Sequence, residues 1–134
     1  MNYYLSSQAT ISRLKISRQS WVKALSLARF YGWQPIGTRL PSPSLFTLLG
    51  LDAEAWDETY FAKNGQMVTT ADALSLARAL ERSLDDIPDF DIETDRPHAL
   101  RETLPFEYFA GNKKRCIVHL IKLCRLGSFL ILRI

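Results

Sequence analysis

The 134-residue chain has few of the residues that would mark an oxidised or zinc-bound protein. It contains two cysteines, Cys116 and Cys124, which lie eight residues apart. On one helix, with a rise of about 1.5 Å per residue, this spacing separates them by about 12 Å, which is too far for a disulfide. They form neither a CxxC pair nor a Cys/His cluster with zinc spacing. We therefore expect two reduced, buried thiols, no structural zinc and a cytoplasmic location.

Long uninterrupted apolar runs are also missing. The most apolar stretch, residues 116–134, contains His119, Lys122, Arg125 and Arg133, each of which is costly inside a bilayer. The N-terminus lacks the basic start and the apolar run of a signal peptide. We therefore expect no membrane span and no membrane partner.

Length and composition predict one globular domain over residues 1–134. Hydrophobic residues make up 47% of the chain and charged residues 23%, which is typical of a folded domain. A chain of this length buries roughly two-thirds of its unfolded surface, so it needs no disulfide or metal to fold.

Acidic residues are absent from both ends of the chain. Residues 1–51 hold six bases and no acid, residues 52–108 hold all 14 acids against five bases, and residues 109–134 hold six bases and no acid. The three blocks therefore carry charges of +6, −9 and +6. The basic ends either neutralise the acidic middle within the fold or present surfaces of opposite sign to partners. Both interpretations stay open.

Both ends of the chain have strand-like patterns. Residues 3–5 and 11–16 predict a β-hairpin, with a bulge near Ser12 and Arg13 where the alternation breaks. Residues 128–134 form a nearly continuous apolar run, which indicates a covered strand pairing with that hairpin.

The first helix signal begins at Ser17, a suitable N-cap for a helix over about residues 18–31. Gly32 can adopt the left-handed conformation that ends a helix, with Trp33 folding back on the last turn.

Two further helices are predicted. Thr69 and Asp72 make a capping-box-like start, and the periodic apolar pattern that follows stops at Pro88. Asn112 can cap a last helix that reaches Leu126. We therefore predict an α+β fold in which a small antiparallel sheet, made of the N-terminal hairpin and the C-terminal strand, packs against three or four helices.

Two segments lack core residues, and one short sequence recurs. Residues 39–50 are a Pro/Ser-rich loop, and residues 85–97 are an acidic loop that should be exposed. The hexapeptide ALSLAR occurs at residues 24–29 and 73–78, on predicted helices of the same phase. Because the flanking residues do not match, we interpret the repeat as convergence of two amphipathic helices.

The acidic loop is a candidate surface for a basic partner protein. It lacks the spacing and central glycine of an EF-hand, and it lacks the lysine that a PD-(D/E)xK nuclease needs after Pro88 and Asp89. We therefore predict no metal site there. The candidate partner-binding residues are Asp85, Asp86, Asp89, Asp91, Glu93 and Asp95.

Three consecutive cations, Lys113, Lys114 and Arg115, fall in the first turn of the last predicted helix. Cations at that position oppose the helix dipole. They could form an anion site with the backbone N–H groups of the helix start. The alternative is that the helix begins near Pro105, so that the cations lie exposed in its middle.

No catalytic motif surrounds a nucleophile or a base. His98 and His119 are the two side chains whose usual pKa is near neutrality. His119 lies among apolar residues of the last predicted helix, and we expect it to be packed. His98 follows a proline in a polar loop. Because no GxSxG, HExxH or papain-like cysteine signature is present, we predict no catalytic residue and no cofactor.

A longer pattern links most of these segments. From Trp21 to Glu81 the chain reads W…LA…YGWxPxGT…W…Y…NGQxVTxxDAxxLAxALE, followed by DIP at residues 86–88 and LCRxGxF at residues 123–129. This pattern resembles a family of small bacterial proteins with no known activity. The resemblance implies a single-domain, cytosolic, bacterial protein. An apolar insert at residues 45–51 departs from the pattern.

These observations favour a non-enzymatic protein-interaction module, for example of the immunity or inhibitor type. The first alternative is a nucleic-acid-binding protein that uses the basic N- and C-terminal blocks. The second is an enzyme of unrecognised type around His98 and the acidic loop. A homodimer through an exposed sheet edge is compatible with the sequence, which does not decide the oligomeric state.

Overall fold

The computed structural model describes residues 2–38, 59–60, 65–89, 109 and 113–133. These ranges contain a four-stranded antiparallel sheet and three α-helices, which confirms the predicted α+β class. The elements in chain order are β1 (Asn2–Ser7), β2 (Arg13–Ser17), α1 (Arg18–Phe30), β3 (Met67–Val68), α2 (Thr70–Ser83), α3 (Lys114–Arg125) and β4 (Phe129–Arg133). A 3-10 turn, Leu84–Asp86, follows α2.

The sheet has the strand order β2-β1-β4-β3. Its two central strands come from opposite ends of the described chain, with Tyr3 opposite Arg133 and Ser7 opposite Phe129. The predicted pairing of the C-terminal strand with the N-terminal hairpin is therefore confirmed. The fourth strand, β3, has two residues, which pair with β4. The sequence pattern did not predict this strand.

The predicted bulge in the hairpin is wrong. Strands β1 and β2 pair in regular register from Asn2–Ser17 to Ser6–Arg13, with no extra residue. The break in alternation arises because Ile11 lies in the connecting turn, where it is fully exposed. The Ser7 hydroxyl holds this turn by accepting from the backbone N–H groups of the two residues at positions 9 and 10.

One face of the sheet carries the core. Alternate residues of β1 and β4, including Tyr3, Leu5 and Ile131, are fully buried and form one cluster with apolar residues of all three helices. The intervening residues, such as Tyr4 and Leu132, lie on the opposite face and are partly exposed. The helices therefore pack against a single face of the sheet.

Both ends of α1 form as predicted. The Ser17 hydroxyl accepts the N–H of Ser20 at the N-cap. At the C-terminus Gly32 has a φ of +92°, and the N–H of Trp33 bonds to the carbonyl of Ala28. This 6→1 bond is the signature of a Schellman motif.

Several predicted features lie outside the described residues. They are the loop at 39–50, the apolar insert at 45–51, the acidic residues beyond Asp89, His98 and the proposed cap at Asn112. Within the ranges that are described, no helix has the length and apolar character needed to cross a bilayer.

Candidate interaction groove

The carboxylate of Asp72 is the centre of a buried hydrogen-bond network. The residue is 2% exposed. Its Oδ1 accepts from the N–H of Ile36 at 3.0 Å, and its Oδ2 accepts from the N–H of Gly37 at 2.9 Å and from the Tyr60 hydroxyl at 2.6 Å. The Thr69 hydroxyl in turn accepts the N–H of Asp72. This arrangement ties the chain that leaves α1 to the first turn of α2.

Two tryptophans complete this network. Trp33 Nε1 donates to the Asp72 carbonyl and to the Ser75 hydroxyl. The Trp33 ring stacks on the Tyr60 ring, with 6.1 Å between the ring centres. Trp21 Nε1 donates to the carbonyl of Tyr60 at 2.9 Å. Tyr60 has a φ of +57°, which is uncommon for an aromatic residue. Two buried tryptophans and one carboxylate therefore hold Tyr60 in place.

The same network contains several residues of the long sequence pattern that runs from Trp21 to Glu81. Gln66 is fully buried and its amide donates to the Thr38 hydroxyl at 3.1 Å. Together with Trp33, Tyr60 and Asp72, these residues supply conspicuous letters of the pattern. The Trp33 indole N–H, the Tyr60 hydroxyl, the Asp72 carboxylate and the Gln66 amide N–H all bond to neighbouring parts of the fold, so these residues have a structural role.

The two cysteines lie on α3 and have unreactive thiols. Cys124 is fully buried and Cys116 is half-buried, and neither is in a disulfide. Burial raises the pKa of both thiols. Because the thiolate is the nucleophilic form, this shift makes either cysteine a poor nucleophile at neutral pH.

The described part of the acidic segment makes contacts within the fold. Asp85, Asp86 and Asp89 are exposed, whereas Ile87 between them is buried. Asp86 accepts a hydrogen bond from the Tyr31 hydroxyl, and Asp89 pairs with Lys114 at 2.8 Å. Burial, followed by the bond to Asp86 and its charge, raises the pKa of Tyr31 to about 12. The remaining candidate carboxylates, Asp91, Glu93 and Asp95, lie outside the described residues.

The three consecutive cations stand at the start of α3. The described α-helix begins at Lys114, and Lys113 before it already has helical φ and ψ angles. Apart from Phe109, residues 105–112, where a longer helix would lie, are outside the described residues. The Lys114 ammonium donates to the carbonyl of Ile87 at 3.0 Å as well as to Asp89. An anion bound here would compete with Asp89 for Lys114, while Arg115 is exposed.

Two ion pairs join the C-terminal basic block to the acidic middle of the chain. One is the pair of Lys114 with Asp89, and the other links Arg125 at the end of α3 to Glu81 on α2. These contacts agree with the interpretation that the charge blocks meet within the fold. Neither ion pair involves the basic residues on the side of α3 that faces β2.

Those residues border a groove between β2 and α3. It has a volume of about 330 Å³ and opens to solvent. The turn before β2 and the strand itself form one wall, and the outer side of α3 forms the other. The lining residues are Ser12, Arg13, Leu14, His119, Lys122, Leu123 and Leu126.

The groove has a basic rim above an apolar floor. Arg13, His119 and Lys122 are exposed at its rim, and Leu14, Leu123 and Leu126 line its floor. Leu126 is 39% exposed, although it is a large apolar residue. Arg13 also lies over the Tyr4 ring, with its guanidinium carbon 5.7 Å from the ring centre, so its charged end is on the face of the sheet opposite the helices.

The expectation that His119 is packed is wrong. The side chain is exposed and lines the groove. The helical phase contained the signal, because four of the five buried residues of α3, namely Ile117, Leu120, Ile121 and Cys124, share one side of the helix, and Leu123 is the exception. At 100° per residue, position 119 falls nearly opposite that side. Its apolar neighbours in sequence were a poorer guide than its angular position.

A second concavity opens at the start of α1, with a volume of about 590 Å³. Arg18 and Lys23 contribute charge there, but Val22 is its one aliphatic lining residue. It thus has one aliphatic side chain where the groove beside α3 has three leucines.

No three residues among His, Cys, Asp and Glu come together as a metal site in the described ranges. His98, the other candidate for proton transfer, lies outside them. The described residues thus form a groove and no metal-ligand cluster.

Comparisons with protein-family models, with curated proteins and with solved structures found no match to this chain. The interpretation of the groove therefore depends on its own residues.

Proposed function

We propose that this chain is a non-enzymatic protein-interaction module and that the groove between β2 and α3 is its contact surface. The observation that supports this proposal is the combination of a basic rim with a floor of three leucines. Leu126 is exposed, Leu14 is partly buried and Leu123 is buried, and an apolar centre within a charged rim is the arrangement found at protein contact sites.

The charge of the groove selects an acidic partner. Both walls come from the terminal blocks of the sequence, which contain no aspartate or glutamate. No carboxylate of either wall can therefore neutralise Arg13 or Lys122. A partner that brings carboxylates to the rim gains attraction and faster association. This proposal differs from the basic partner predicted from the acidic loop, because Asp86 and Asp89 already have partners within the fold.

Nucleic-acid binding through the basic blocks remains the second candidate. The cations of the groove rim favour it, since phosphates would meet the same charges. The floor argues against it, because Leu14, Leu123 and Leu126 offer no aromatic ring on which a base could stack.

Capture of the tagged protein from its native lysate, with and without nuclease, tests the proposal. The double variant R13E/K122E reverses two charges at the groove rim. Its matched control is R78E/R82E, which makes the same change in net charge at two exposed positions on α2. Circular dichroism would establish that both variants fold.

We expect one stoichiometric acidic protein that survives nuclease, binds the control variant and is lost with R13E/K122E. Such a result would also place the chain among inhibitor or immunity-type proteins if the partner were inactivated on binding. Equal capture by both variants would contradict the groove as the contact surface. Recovery of nucleic acid that nuclease and higher salt remove would favour the second candidate, and the variant K113A/K114A/R115A should then weaken it across sequences.

We also propose a cytoplasmic location, which the two unpaired thiols support.

A further inference from the structure

We infer that the groove binds its partner by strand addition: an extended acidic segment of another protein pairs with the open edge of β2. This inference depends on the proposed function and specifies how the groove would be used. The occupant is a segment in which apolar residues alternate with aspartate or glutamate.

The open edge of β2 follows from the strand order and from one hydrogen bond. Strand β2 is the first in the order β2-β1-β4-β3, so one of its sides has no described strand. The N–H of Ser7 bonds to the carbonyl of Ser12, which makes these two residues a hydrogen-bonded pair. In an antiparallel ladder such pairs recur at every second residue. Leu14 and Ile16 therefore direct their backbone groups to β1, and Arg13 and Lys15 direct theirs to the open edge.

The side chains along this edge match the alternation of such a segment. Leu14 is on the core face of β2 and lines the floor of the groove. Arg13 and Lys15 project from the other face of the strand and are exposed. Side chains of an added strand also alternate between the two faces. Its apolar residues would enter the groove toward Leu123 and Leu126, and its carboxylates would lie beside Arg13 and Lys15.

Charge distinguishes this occupant from a second copy of the chain. Positively charged residues on an edge strand oppose pairing with a like strand. Two β2 strands placed side by side would bring Arg13 and Lys15 of one copy beside those of the other, and like charges across a sheet are unfavourable. An acidic strand meets the same edge with attraction. The positive charges that disfavour self-association therefore favour an acidic partner.

The probe is a synthetic N-acetylated octapeptide in which valine or leucine alternates with glutamate. A control peptide has the same composition, with its apolar and acidic residues in two blocks. Both are titrated into the full-length protein labelled with ¹⁵N, at concentrations where sedimentation shows the peptides to be monomeric. Amide hydrogen exchange then reports which backbone groups gain hydrogen bonds.

The alternating peptide should slow exchange of the Arg13 and Lys15 amides and leave those of Leu14 and Ile16 unchanged, because the latter pair already bonds to β1. The variant K15P removes one edge N–H without breaking a bond to β1, and K15A removes the same charge but keeps that N–H. We expect K15P to bind the peptide about five- to tenfold more weakly than K15A. Thermal denaturation would confirm that both variants fold.

Each contrary outcome has its own meaning. Shifts at Leu123 and Leu126 without protection of the edge amides, together with equal binding by K15P and K15A, would overturn strand addition and leave the groove as a contact surface. Equal binding of the alternating and block peptides, or no binding of either, would overturn the inference as well. Protection of the edge amides on self-association, without peptide, would assign the edge to a second copy. The capture experiment with R13E/K122E judges the proposed function separately.

Discussion

At the scale of single residues, Asp72 connects parts of the chain that are far apart in sequence. Its carboxylate receives two backbone N–H groups and one hydroxyl, and hydrogen bonds to a charged group each contribute roughly 1.5–3 kcal/mol. In Asp72→Asn the new amide group would face donors where an acceptor is needed. We therefore expect the free energy of unfolding to fall by about 3 kcal/mol. Urea denaturation monitored by tryptophan fluorescence would measure it.

Asp85→Asn is the matched control for this change. Asp85 is an exposed aspartate in the turn after α2, and its substitution should alter stability by less than about 0.5 kcal/mol. Equal losses in the two variants would show that the buried network does not stabilise the fold.

The Tyr60 hydroxyl makes stability depend on alkaline pH. Burial, followed by the hydrogen bond to Asp72 and its charge, raises the pKa of Tyr60 above its usual value of about 10. The folded protein therefore holds this proton more tightly than the unfolded chain does. The resulting stability is complete below pH 10 and is lost as the pH rises further.

Tyr60→Phe removes this titrating group. We expect the free energy of unfolding to decline less steeply above pH 10 than in the wild type, by up to about 1.4 kcal/mol per pH unit. Urea titrations between pH 9 and 11 would give the slope. Ser17→Ala loses the cap of α1 but removes neither a titrating group nor a group that shifts the pKa of Tyr60, so it should keep the wild-type slope. An unchanged slope in Tyr60→Phe would contradict the assignment.

At the scale of elements, the repeated hexapeptide ALSLAR shows how packing decides burial. In α1 its first leucine, Leu25, is fully buried, whereas the equivalent Leu74 in α2 is 38% exposed. Leu25→Ala should lower the free energy of unfolding by about 2–5 kcal/mol, and Leu74→Ala by less than about 0.5 kcal/mol. Chemical denaturation of the two variants tests this with identical local sequences. Similar losses of unfolding free energy in the two variants would mean that the equivalent leucines of the two helices are equally buried.

Elements with local signals were predictable. Ser17 and Thr69 are short polar residues immediately before periodic apolar patterns, and both accept the N–H three residues later. Gly32 adopts the positive φ that ends a helix. Each signal works within a few residues of chain, so the sequence contains all the information that is needed.

Elements defined by distant partners were not predictable. Strand β3 has two residues and is recognisable as a strand only because it pairs with β4. Asp72 bonds to Ile36 and Gly37, which precede the loop at 39–50 and are 36 and 35 residues away in sequence. The groove was not predictable for the same reason, because Leu14 and His119, which both line it, are far apart in sequence. Only the exposed side of α3 could have been found, from its angular position.

At the scale of the whole molecule, β4 is an internal strand of the sheet although it is the last described element. It pairs with β1 on one side and with β3 on the other, and its residues Phe129 and Ile131 are fully buried. A chain that stops at Gly127 would leave β3 without its partner strand and β1 paired on one side alone. We expect it to lose cooperative unfolding and the dispersed amide spectrum of a folded protein.

A chain shortened by Ile134 alone is the control for this truncation. It keeps every residue of β4 and should retain a cooperative thermal transition. A folded, cooperatively unfolding protein that ends at Gly127 would show that β1, β2 and the helices suffice without the central strand.

The pairing of β1 with β4 also determines how the protein would respond to mechanical force. The two strands are antiparallel, so Tyr3 and Arg133 face each other at one end of the ladder. Tension applied to these two positions acts along the interstrand hydrogen bonds, which lie perpendicular to the strands. The bonds would therefore break one after another, beginning with those nearest Tyr3 and Arg133. A domain closed in this way resists chemical unfolding through its core but yields readily to a pull on its two ends.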